Sequence, residues 1–158
     1  MLCQTQNRLV LLAVALGLVM IISSCSSNVK PSDVVGLYTC SVEQTIESNN
    51  DFFMPFGKNT WHGDVSIGPF TGGGKNKYVI GSESDSFMIS SGMVIEMKNG
   101  KFKGKMVRDY PLFGKLVYTI EGEVSGETLK YKYVAFIEGA GDDGKATEIG
   151  IGKKFKLF

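Results

Sequence analysis

The chain has 158 residues, 43% hydrophobic and 21% charged, with 17 Lys and Arg against 16 Asp and Glu, which excludes a disordered chain and fits one folded domain. A net charge of +1 and only two arginines, Arg8 and Arg108, leave no clustered cationic excess to neutralise phosphates, so nucleic acid is excluded as a partner. Twenty glycines beside four prolines indicate many tight turns, which in a small domain means β structure.

The first element in chain order is an address. A polar start carrying Arg8, an apolar run from Leu9 to Ile22 and the small residues Ser23 and Ser24 form the pattern of a secretory signal peptide. The run is shorter than the ~20 residues of a spanning helix, which disfavours a retained membrane segment. Ile22-Ser23-Ser24-Cys25 resembles the lipobox of bacterial lipoproteins. That resemblance implies cleavage between Ser24 and Cys25, a diacylglycerol thioether on Cys25 and a further acyl chain on the new amino group. Several chains exceed the two signals that stable anchoring takes. Residues 1–24 are therefore expected to be a cleaved leader, 25–33 a polar tether and 34–158 the domain it holds to the membrane. No acidic run follows Cys25, which favours the periplasmic face of the outer membrane over surface display. Cys3 leaves with the leader and Cys25 takes lipid, so Cys40 stands alone, read as a small buried apolar residue on a strand.

The mature part reads as consecutive strands. Val34 to Cys40 is β-branched and aromatic and predicts the first. Ser41 to Asn50 is the one stretch that admits a helical turn or two, inside a long connection from Ser41 to Thr60. Trp61 to Ile67, Tyr78 to Ile80 and Phe87 to Ile89 predict short strands. Beyond them apolar and polar residues alternate with period two, so that one face can be buried. Met93, Ile95 and Met97 lie opposite Glu96 and Lys98; the turn Asn99-Gly100 follows; Phe102, Gly104 and Met106 lie opposite Lys101, Lys103 and Lys105. This lysine row reads as a solvated face, with an anionic partner as the alternative. Leu116, Tyr118 and Ile120 alternate with Val117, Thr119 and Glu121, and Ser125-Gly126 supplies a turn. Leu129, Tyr131, Tyr133, Ala135 and Ile137 form the next inner row, and finally Thr147, Ile149 and Ile151 oppose Glu148, Gly150 and Gly152. Eight or nine short strands at regular spacing predict an all-β fold, an antiparallel up-and-down meander closed into a small barrel of about eight strands.

Gly36-Leu37-Tyr38 at the first strand, a faint echo of a second motif at Arg108-Asp109-Tyr110, and a meander behind a lipobox resemble the lipocalin-like (calycin-like) lipoproteins of the Bacteroidetes type. The resemblance covers roughly residues 34–158 and implies a barrel holding a small hydrophobic molecule without catalysis. From the residues themselves, Phe52, Phe53 and Phe56 in the long connection, with Trp61 beyond it, are candidate ligand contacts, or else a plug closing one end. Tyr118, Tyr131 and Tyr133 on the later strands join them as candidates. The other reading is a barrel packed solid that binds a protein or envelope partner through its surface.

No cofactor or metal is expected. Residues 139–146 match Gly-x-Gly-x-x-Gly and approach a phosphate loop, yet they lead into a β pattern and carry Asp142 and Asp143, which repel an anion; a hairpin turn is the better reading. Those aspartates with Glu138 or Glu148 lack the alternating oxygen ligands of a calcium loop. His62 is the sole histidine, so a multi-histidine zinc site is impossible, and a base role beside Trp61 and Asp64 is weaker than that of an ordinary loop histidine. No nucleophile elbow is present, and the chain is read as a non-enzyme.

Overall fold

In the computed structural model, which describes residues 30–48, 57–82, 89–90, 92–111, 114–139 and 144–155, eight antiparallel strands follow one another. They are β1 (Gly36–Ser48), β2 (Gly57–Pro69), β3 (Lys77–Ser82), β4 (Met93–Lys98), β5 (Lys101–Tyr110), β6 (Gly114–Ser125), β7 (Thr128–Ile137) and β8 (Gly144–Lys154). Each pairs with the next, and β8 pairs back onto β1 from Tyr38–Lys154 to Ser48–Gly144, so the sheet closes into a barrel, with Gly57–Asp64 of β2 and Lys105–Tyr110 of β5 running past their pairing with β3 and β4. The expected all-β closed meander is the observed fold.

Several boundaries differ from expectation. Val34 does not begin the first strand but ends a one-turn helix, α1 (Pro31–Val34), that caps one end of the barrel. Val34 is 1% exposed, its carbonyl accepts the Tyr38 hydroxyl at 2.7 Å, and Lys154 Nζ reaches the carbonyls of Ser32 and Asp33 at 3.0 and 3.1 Å. The last residues of the expected tether thus fold onto the domain. Ser41 to Ser48 is strand, not helix, because Val42, Gln44 and Ile46 all point inward. The connection between β1 and β2 is correspondingly shorter than the expected 41–60. Ile89 lies in a turn instead of a strand; Phe87 lies outside the described residues.

Turn chemistry explains the hairpins. Asn99 and Gly100 take φ of 52° and 78°, the left-handed pair that lets β4 and β5 join in two residues. Between β6 and β7 the turn falls on Gly126-Glu127, one residue later than Ser125-Gly126.

The register is written in charge as well as in apolar pattern. On the outer face Lys77, Glu96, Lys103, Glu121 and Lys132 stand side by side across β3 to β7, alternating in sign. Opposite charges on neighbouring strands contribute roughly 0.2–1 kcal/mol each, and a slipped strand would set like against like. The lysine row of β5 is therefore one column of a mixed-charge surface. At β8 the alternation stops: Lys132 faces Ile149 and Lys130 faces Ile151.

Candidate functional site

The interior of an eight-stranded barrel is just wide enough for side chains to fill, so what points inward defines its chemistry. The interior of the half nearer α1 is filled by side chains. Tyr131 lies between Gly122 of β6 and Gly150 of β8 in register, and the Phe102 ring covers Gly122. A β-carbon on Gly150 would come within 2.2 Å of the Tyr131 ring, and one on Gly152 within 2.3 Å of Cys40 Sγ. The rings of Phe102 on β5 and Tyr131 on β7, and the Cys40 sulfur on β1, thus fill the space that glycines of β6 and β8 leave.

The other half carries polar atoms. Gln44, Glu148 and Tyr133 are direct neighbours across β1, β8 and β7, all facing inward. Glu148 is fully buried and accepts a hydrogen bond from the Tyr131 hydroxyl at 2.7 Å. Gln44 is 5% exposed, and its Oε1 accepts the indole N–H of Trp61 at 3.2 Å. The Tyr133 and Tyr118 rings lie 6.1 Å apart between centroids, and the Tyr118 hydroxyl is 3.5 Å from that of Tyr110. Next to this group β7 and β8 contribute the small Ala135 and Ala146, paired with each other, and then Ile137. Trp61, Met106 and Tyr110 are half-buried against the core at this end and form the described border between the interior and water.

Burial sets the electrostatics. It raises the hydroxyl pKa of Tyr131 well above the ordinary tyrosine value, with the Glu148 carboxylate adding to it. Tyr133 and Tyr118 shift upward for the same first reason. Tyr110 moves the other way, through its hydrogen bonds with the Tyr118 hydroxyl and with Arg108. Cys40, 1% exposed, has its thiol pushed up to about 12 by burial and then by Asp64 and Glu148, which disfavours the thiolate and any nucleophilic role.

Of the expected contacts, Trp61, Tyr118, Tyr131 and Tyr133 come together inside the barrel, whereas Phe52, Phe53 and Phe56 lie outside the described residues. Cys25 lies outside them too. His62 is exposed on the outer face of β2, facing away from Trp61, and the Asp64 carboxylate accepts the Thr39 hydroxyl at 2.8 Å, so the three do not form a unit. The glycine-rich stretch after β7 runs into β8 at Gly144, as a hairpin does. Gln44 and Glu148 are the inward residues that the sequence pattern misses. The signal lies in volume: the aromatic row of β7 requires small neighbours, which puts Gly150 and Gly152, and hence Glu148, inside.

Outside the barrel lies an open groove of about 1300 Å³ over β4 to β8, lined by Ile149 and Ile151 and by Lys103, Glu121, Glu123, Lys130 and Lys132. Comparison with protein-family models, curated proteins and solved structures finds no match for this chain.

Proposed function

We propose that this is a lipid-anchored envelope protein whose barrel binds a small, largely apolar ligand without catalysis, in the half of its interior away from α1. The observation that carries the reading is the inward convergence of Trp61, Tyr118 and Tyr133 on Gln44 and Glu148. Burying a carboxylate and an amide is costly compared with an apolar core, so their retention is expected where a ligand uses them. Aromatic walls supply most of the contact, and a few fixed polar groups orient the ligand. The lipobox-like Ile22-Ser23-Ser24-Cys25 supports anchoring through acylated Cys25, on the periplasmic face of the outer membrane.

The half nearer α1, filled by Tyr38, Phe102 and Tyr131, favours a second reading: a barrel packed throughout that works as an interaction module through its outer groove. One experiment separates them. Trp61 is the only tryptophan, so its fluorescence reports on the proposed site alone. Native mass spectrometry of the mature protein from its own envelope extract should show a small-molecule adduct that shifts Trp61 emission and is lost in Trp61→Ala. A bare protein with unchanged emission would end the ligand reading and leave the module. Cys25→Ala should abolish acyl labelling and membrane retention; label that persists would refute the anchor.

A further inference from the structure

We propose that the α1 end of the barrel and the adjoining outer flank of β8 rest on a bilayer surface containing anionic phospholipid, giving the domain a fixed orientation instead of a loose tether. Three observations meet here.

The near-neutral chain is polarised along the barrel axis. The strand ends and turns around α1 carry Lys30, Lys75, Lys77, Lys98, Lys101, Lys153 and Lys154, against Asp33 and Glu127, with Glu123 paired to Lys101 and Glu96 to Lys77. The other end, strand ends included, carries Lys58, Lys115 and Lys145 against Glu47, Asp109 and Glu138, and the sequence joining β1 to β2, β3 to β4 and β7 to β8 adds five further acidic residues and no lysine or arginine. Such a distribution orients a protein on a negative surface although its net charge is only +1.

Alternate residues on the outer face of β8 and just past it, Ile149, Ile151, Lys153 and Phe155, descend towards that basic end. The three apolar ones are 49%, 54% and 55% exposed. Phe155 donates its backbone N–H to Leu37 at 2.7 Å, and Leu37 is itself 38% exposed. Apolar side chains interleaved with lysines suit the headgroup boundary, where ammonium groups meet phosphate while the apolar groups leave water.

Finally, the chain enters the domain at this end. The few residues between Cys25 and Lys30 extend at most roughly 20 Å, which keeps α1 close to any membrane that holds Cys25. Only this geometric step rests on the anchor reading.

The test uses the mature protein in vesicles of phosphatidylcholine alone or mixed with phosphatidylglycerol, with lysine acetylation mapped by mass spectrometry. Lys101, Lys130 and Lys153 should be protected several-fold in the anionic vesicles, and Lys58, Lys115 and Lys145 at the other end should label alike in both. Lys153→Glu should weaken vesicle association by at least about fivefold, given the energy of one lysine at an anionic surface, whereas Lys58→Glu should leave it unchanged. High salt should remove the protection. Equal labelling of both ends in the anionic vesicles overturns the proposal. Protection confined to native envelope membranes and missing in protein-free lipid assigns the surface to a protein partner and overturns it as well. The intact mass reports acylation separately; an unacylated chain is tested by flotation with the same vesicles, so failure of the anchor is distinguished from failure of the surface.

Discussion

Strands β5 and β8 border the same outer groove and divide their residues in opposite ways. β5 buries Phe102 and holds Lys101, Lys103 and Lys105 in water; β8 buries Glu148, Gly150 and Gly152 and exposes Ile149 and Ile151. The difference teaches that an inward position in a small barrel is assigned by the volume its neighbours leave as much as by hydrophobicity. Where Tyr131 and Cys40 already occupy the interior, glycine is the residue that fits opposite them, and the isoleucines must face out.

Alkali should break the contrast most completely, because the groups pressing on the inner face of β8 titrate while Ile149 and Ile151 do not. The Cys40 thiol, ordinarily near 9, and the Tyr38 hydroxyl, ordinarily near 10, are both raised to about 12, chiefly by burial. The folded state therefore holds these protons more tightly than the unfolded chain. Its stability is intact below pH 9 and is lost as the pH climbs from 9 through 12. Circular dichroism and Cys40 thiol reactivity should change together in that window; a thiol that becomes reactive within an intact fold would contradict the packing described.

Next in size is Gly150→Val, which drives a side chain into the Tyr131 ring and should cost on the order of 3 kcal/mol in urea unfolding. A cost below about 1 kcal/mol would mean that volume does not set the inner face of β8. Removing the donor to the buried carboxylate by Tyr131→Phe should cost about 2 kcal/mol, and the loss should shrink in a Glu148→Gln background. The smallest effect sharpens the outer side: Ile151→Thr should leave stability within about 0.5 kcal/mol.

Much of this architecture is legible in the chain. Met93 to Lys98, Asn99-Gly100 and Phe102 to Met106 announce a hairpin, because alternation and turn chemistry agree there. Two inward polar residues hide the rest. Gln44 interrupts the apolar row of Val42 and Ile46 and disguises half of β1 as a loop or helix. Glu148 makes β8 look inverted, since an isolated strand does not reveal which face its neighbours have already filled. Three of the site's aromatic residues, Trp61, Tyr118 and Tyr133, are recognisable by type and spacing; the polar pair they surround is visible only once the register is known.

Closure of the ring through β1 and β8 also sets when the molecule can be finished. Seven of the strands pair with the strand that precedes them and can form in order as the chain emerges. The last pairing joins Tyr38 to Lys154 and Ser48 to Gly144, so nothing made before the final residues can replace it. Until β8 arrives, the flanks of β1 and β7 remain two unsatisfied hydrogen-bonding edges, open to proteases and to pairing with other chains. β8 is thus the strand that seals the seam: a copy that stops before residue 144 leaves the flanks of β1 and β7 open.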